Sequence, residues 1–248
     1  MNFDFNRFLK QMKWDAIQNY RFVYIFYMVI FGLMMFTDVN GGGGQLHNGL
    51  FWTTIFLGGL IFTSIIFDEF NEPQSKQFYL TTPSSHLEKF SSKLFLTTVA
   101  YTMTTMIAFS IMSFIATFLL ELRSETDLPS FNPFHGENVA VIKSYVIIQS
   151  VFLLGAATFS RGAFLKTIAA IIGISFVLSI IWMTVGVGAI SQHFSFNAKF
   201  DFNSSHVNFE GIEGSMKGYS QVLKWLYFLL LAPLMWLITY FKLTEKEV

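Results

Sequence analysis

The residues of this chain with chemical potential are hydroxyls, five histidines and a set of charges kept apart from the apolar runs. His47, His86, His135, His193 and His206 are isolated in sequence and fall in segments read as loops. A metal centre needs several such ligands at matched spacing, so these histidines read as loop polar residues. No H-E-x-x-H, G-x-S-x-G or Walker A pattern occurs. The usual means of metal-assisted hydrolysis, acyl transfer and ATP hydrolysis are therefore missing. Gly41 to Gly44 form a permissive tether, and no Lys-Ser or Lys-Thr follows to complete a phosphate loop. The expectation is a non-enzyme that binds neither metal nor cofactor itself.

The polar groups inside the apolar runs are mostly hydroxyls. Thr98, Thr102, Thr105, Ser110, Ser113 and Thr117 share an arc of roughly 140° if the helix turns by about 100° per residue. Such an arc suits a translocation-pathway lining. It equally suits hydroxyls that bond back to the preceding turn or pack on a neighbouring helix. No Asp or Glu falls mid-run, which argues against an ion-driven transporter with an intramembrane carboxylate.

The elements carrying these groups are set by composition. The 248 residues are 53% hydrophobic and 13% charged, whereas soluble domains are about a quarter charged. An integral membrane protein is expected. Zero net charge says nothing in favour of nucleic acid, which needs a basic face. The chain has no Cys, which removes disulfides and thiolate sites. Asp4, Asp15 and the lack of a small-residue cleavage site argue against a cleavable signal peptide.

The expected fold is all-α and polytopic, in two parts. Residues 1–21 form an amphipathic interfacial helix, with Phe5, Phe8, Met12 and Ile17 opposite Arg7, Lys10 and Lys13; an ordinary solvated helix fits the same spacing. Residues 22–248 form a six-span domain, with spans at about 22–37, 50–67, 94–120, 139–159, 163–190 and 222–241. Eleven of the sixteen Lys and Arg fall on the side holding both termini and the 68–93 loop. That bias makes the side cytoplasmic. On the opposite side, residues 191–221 carry Phe194, Phe196, Phe200 and Phe202 at even spacing. These suit a strand face or residues dipping into the outer leaflet, as an exit lid or as packing on the bundle.

The polar interval Asp68 to Lys93 is dense in charge and turn residues. Pro73 suits a first helical turn, giving a short helix to Leu80 with Phe78, Tyr79 and Leu80 as apolar contacts. Thr82-Pro83 breaks it. Ser85 and Glu88 then have capping-box spacing for a second helix that runs into span three. A structured, aromatic-bearing elbow of this kind is explained by a soluble partner.

Residues 78–95 resemble the signature after the second span of ABC-2 type transporter permeases. The matching positions are Tyr79-Leu80, Thr82, Pro83, Ser85, Glu88 and Lys93. The motif covers about twenty residues, while the topology matches along essentially the whole chain. Asp68-Glu69-Phe70 departs from the Glu-Arg pair that many members carry. The resemblance implies the transmembrane subunit of an ATP-driven exporter in a bacterial inner membrane. It would pair with a second permease subunit, identical or different, and with cytoplasmic ATPase subunits that hold ATP and Mg. A coupling helix would lie between helices two and three, with Glu69, Glu72, Lys76, Phe78, Tyr79, Leu80, Pro83 and Glu88 as ATPase-coupling residues. A non-transporting membrane scaffold that recruits a soluble partner through the same elbow is the competing expectation.

Overall fold

The computed structural model describes residues 3–39, 43–71, 77, 81, 84–121, 131–159, 161–186 and 230–245. Helix is the regular structure throughout these residues. Helix α1 spans Phe5–Val39. Helix α2 (Gly43–Thr53), a π-turn (Thr54–Gly58) and α3 (Gly59–Ile65) form one continuous rod, ending near a 3-10 turn at Asp68–Asn71. A second rod joins α4 (His86–Phe95), a π-turn (Leu96–Ala100) and α5 (Tyr101–Glu121). Then come α6 (Gly136–Thr158), α7 (Ala163–Ile181) with a π-turn at Trp182–Gly186, and α8 (230–245).

Among the described residues, five helices are long and apolar enough to cross a membrane: Phe5–Val39, Leu46–Ile65, His86–Leu119, Gly136–Thr158 and Ala163–Thr184. The first five expected spans map onto these. The amphipathic run and the first span are one uninterrupted helix with no break at residue 21. Of the sixth expected span, 230–241 is helical; residues 222–229 and 191–221 lie outside the described residues.

Each rod contains a buried series spaced by four, with further buried residues beside it. In the first rod it is His47, Phe51, Ile55, Gly59 and Thr63, with Phe67 just beyond α3; in α4–α5 it is Lys89, Lys93, Thr97, Tyr101, Thr105, Phe109 and Ser113. A step of four in a regular α-helix drifts by about 40°, so six steps drift about 240° and leave one face. An extra residue in a wide turn takes back about 100° of that drift. Each rod has its π-turn inside the period-four run, which keeps the buried stripe directed at its neighbours.

The packing between rods is aromatic. Phe51, Phe109 and Phe131 meet with ring centroids 4.9–5.4 Å apart, and Phe62 stacks on Tyr101 at 5.6 Å. Such pairs favour offset and edge contacts. The α6–α7 corner is set by Gly162 at φ 75°, a left-handed conformation that suits glycine. Beyond the corner the helices close on Gly155, where an added Cβ would overlap the buried Thr167 side chain. Gly155→Ala is expected to cost about 1–3 kcal/mol by overpacking. In thermal unfolding followed by tryptophan fluorescence, adding Thr167→Ala should recover most of that loss.

Candidate functional site at the Lys93 junction

The elbow between the two rods begins and ends in one ionic junction. Lys93, in the last turn of α4, has a fully buried side chain. Its ammonium donates to the Ile66 carbonyl at 3.0 Å, faces Glu69 Oε1 at 3.3 Å and Asp15 Oδ1 at 3.5 Å, and stands over the Phe67 ring at 5.5 Å. Ile66 is the C-cap of α3, so the cation also meets the negative end of a helix. Asp15, in α1, further accepts from Ser92 Oγ at 2.6 Å and Gln11 Nε2 at 2.9 Å. One lysine thereby fastens three segments: the first third of the long α1, the end of α3 and the first helix of the second rod.

One turn earlier, Glu88 forms the second fastening. It closes the capping box with Ser85, accepting from the Ser85 N–H at 2.8 Å while Ser85 Oγ accepts from the Glu88 N–H at 3.2 Å. Its other oxygen accepts from the Asp4 N–H at 2.7 Å and Arg7 Nη2 at 3.0 Å. The local cap thus also docks the start of α1 onto α4.

Of the residues assigned to ATPase coupling, Glu69 and Glu88 both turn into this junction, Glu88 fully buried and Glu69 with a 13% exposed side chain. Glu72, Lys76, Phe78, Tyr79, Leu80 and Pro83 lie outside the described residues, as does nearly all of the expected helix from Pro73 to Leu80. Burial pushes the Glu69 carboxyl above the ordinary glutamate value, and the neighbouring Lys93 charge opposes this only in part.

No protein-family model, curated protein or solved structure matches this chain.

Most of the hydroxyls expected to line a pathway have partners within the protein. Thr102, Thr105 and Ser110 donate to the carbonyls four residues back at 2.6–2.8 Å. Thr105 also meets Tyr27 of α1 at 2.7 Å. Thr98 is buried at its hydroxyl with no hydrogen-bond partner. Ser113 faces His47 Nδ1 at 2.9 Å, and His47 Nε2 faces Asp38 Oδ1 at 2.8 Å. His47 was expected in a loop; it sits in α2, 2% exposed, because the helix begins within the glycine tether. The Asp–His–Ser order has the contacts of a nucleophile relay. Ser113 is only 3% exposed, so a substrate has no approach, and the trio acts as a polar bridge joining α1, α2 and α5.

Lys93→Met should destabilise the protein by about 3–5 kcal/mol, because it leaves Asp15 buried and unpaired. Asp15→Asn combined with Lys93→Met should cost clearly less than the sum of the two. Glu69→Gln keeps an acceptor for Lys93 and removes the cost of an ionised buried carboxylate. It should match or exceed the wild type in thermal stability near neutral pH. That advantage should disappear as pH falls through the raised folded-state value of Glu69.

Proposed function

We propose that this chain is the transmembrane permease subunit of an ATP-binding-cassette exporter, driven by ATP and Mg held on a separate ATPase subunit. In this reading the 68–93 elbow faces the cytoplasm and carries the coupling helix, and a second permease subunit completes the pathway. The observation that supports it most is the Lys93 junction. An elbow that receives a push from a soluble engine must not fold away from the spans it drives. Here its first residues are tied to its last by the Glu69–Lys93 pair, and the last (Ser85 to Lys93) are pinned to α1 by buried charge. Closure of the ATPase dimer would then move the inner ends of three spans together, a population shift driven by differential binding. The positive-charge bias and the resemblance of residues 78–95 point the same way.

A membrane scaffold would use the same elbow, and ATPase capture separates the two readings. Phe78 and Tyr79 are the proposed aromatic anchors, the side-chain type that carries most binding energy at interfaces. Phe78→Ala and Tyr79→Ala should each lower recovery of a co-purifying ATPase by at least about tenfold, with membrane insertion unchanged. A gently solubilised wild-type chain that brings down a soluble protein lacking nucleotide-binding motifs, and no ATPase, would favour the scaffold.

A further inference from the structure

The π-turns of the two rods are completed by side chains of neighbouring helices. In the second rod, the Tyr101 N–H donates to the Leu96 carbonyl, five residues back. The Thr97 carbonyl, which a regular α-helix would have engaged, instead accepts from the Tyr145 hydroxyl of α6 at 2.7 Å. In the first rod, the Gly59 N–H goes to Ile55 and Phe56, and the Thr54 carbonyl accepts from the Tyr101 hydroxyl at 2.8 Å. Both phenols stand where a side chain would be. A Cβ at Gly58 would overlap Tyr101 and Phe26, and one at Gly59 would overlap the Tyr145 ring. Gln149 of α6 adds a donor to Thr97 Oγ1 at 2.8 Å.

We propose that the Leu96–Ala100 turn is a register switch in the second rod, held in its wide form by the Tyr145 phenol on the Thr97 carbonyl, while the Tyr101 phenol anchors the residue just past the turn to the first rod. Wide turns have two discrete states, because the extra residue is either accommodated or released. Release turns everything beyond the π-turn by about 100°, so each site once occupied by residue n is occupied by residue n−1. The consequences differ along the rod. Lys93 and Glu88 precede the turn and keep all their partners. Opposite Tyr27, Thr104 replaces Thr105. Thr104 is also a hydroxyl, exposed in this structure, so Tyr27 has a partner in either register. Opposite His47, Met112 replaces Ser113, and the bridge through Asp38 loses one of its three members. The switch therefore releases the His47 end of the bundle while the Lys93 end stays fastened. This inference is independent of the transporter reading, since it concerns the chain alone.

The absence of native Cys allows the register to be read directly. Two pairs, Tyr27→Cys with Thr105→Cys and Tyr27→Cys with Thr104→Cys, are compared in lipid nanodiscs using a short bis-methanethiosulfonate linker. With Tyr145 present, the 27–105 pair should dominate. Tyr145→Phe removes one phenol–carbonyl bond and should raise the ratio of 27–104 to 27–105 product about fivefold. Gly59→Ala, which displaces the Tyr145 ring, should raise it too and serves if Tyr145→Phe does not insert. An unchanged ratio in folded protein of either variant overturns the switch. So does loss of both products together, which would mean that α5 has left α1 altogether.

Discussion

A lysine ammonium in a protein interior must be matched by charge and hydrogen bonds or it will not remain there. Lys93 meets that demand with two carboxylates and a helix-terminal carbonyl. Because these acceptors come from α1, the end of α3 and the 3-10 turn after it, satisfying one cation dictates where those three segments stand relative to the last turn of α4. Glu88 repeats the logic with the sign reversed, one carboxylate drawing donors from α1 and from its own cap. Removing either charge leaves its partners stranded, so the junction is specified far more sharply than apolar packing alone would achieve.

A second constraint acts along the rods. Hydrocarbon supplies no donors, so a carbonyl released by a wide turn must find one within the protein. Tyr101 and Tyr145 supply those donors, and Gly58 and Gly59 leave room for the rings. The wide turns are thus bound up with the tertiary structure. In the two rods they fall within buried series spaced by four, and neighbouring helices complete their hydrogen bonding. Aromatic packing at Phe62, Tyr101 and Tyr145 surrounds the same level of the bundle.

Much of the architecture was legible in the sequence. Long apolar runs locate four of the described candidate spans to within several residues, and the Ser85–Glu88 spacing gives the cap of α4 as observed. The hydroxyl arc was drawn for a helix of uniform pitch, and the π-turn breaks that assumption between Thr98 and Thr102. The period-four series from Lys89 to Ser113 was available as a signal, but only when its spacing is set against the 3.6-residue turn. The Asp15–Lys93 pair had no local signature. Its members lie 78 residues apart, and the pairing depends on how α1 packs. His47 was misplaced because four successive glycines argue for a tether, whereas burial against Asp38 and Ser113 draws the helix back into that segment.

The polar contacts along α1 are graded from one end to the other. At the Lys93 end two independent charge clusters hold it, midway a single phenol–hydroxyl contact joins Tyr27 to Thr105, and at the far end one imidazole bridges Asp38 and Ser113. Breaking the first would strand buried ions, whereas the second is a single neutral hydrogen bond, worth about 1 kcal/mol. Among these contacts a conformational change should therefore begin at the middle and far levels, with the junction carried along as a unit. That ordering suits a bundle moved from the Lys93 end. In the proposed permease, the firmest fastening would stand where force is applied and the contacts easiest to exchange where the helices part.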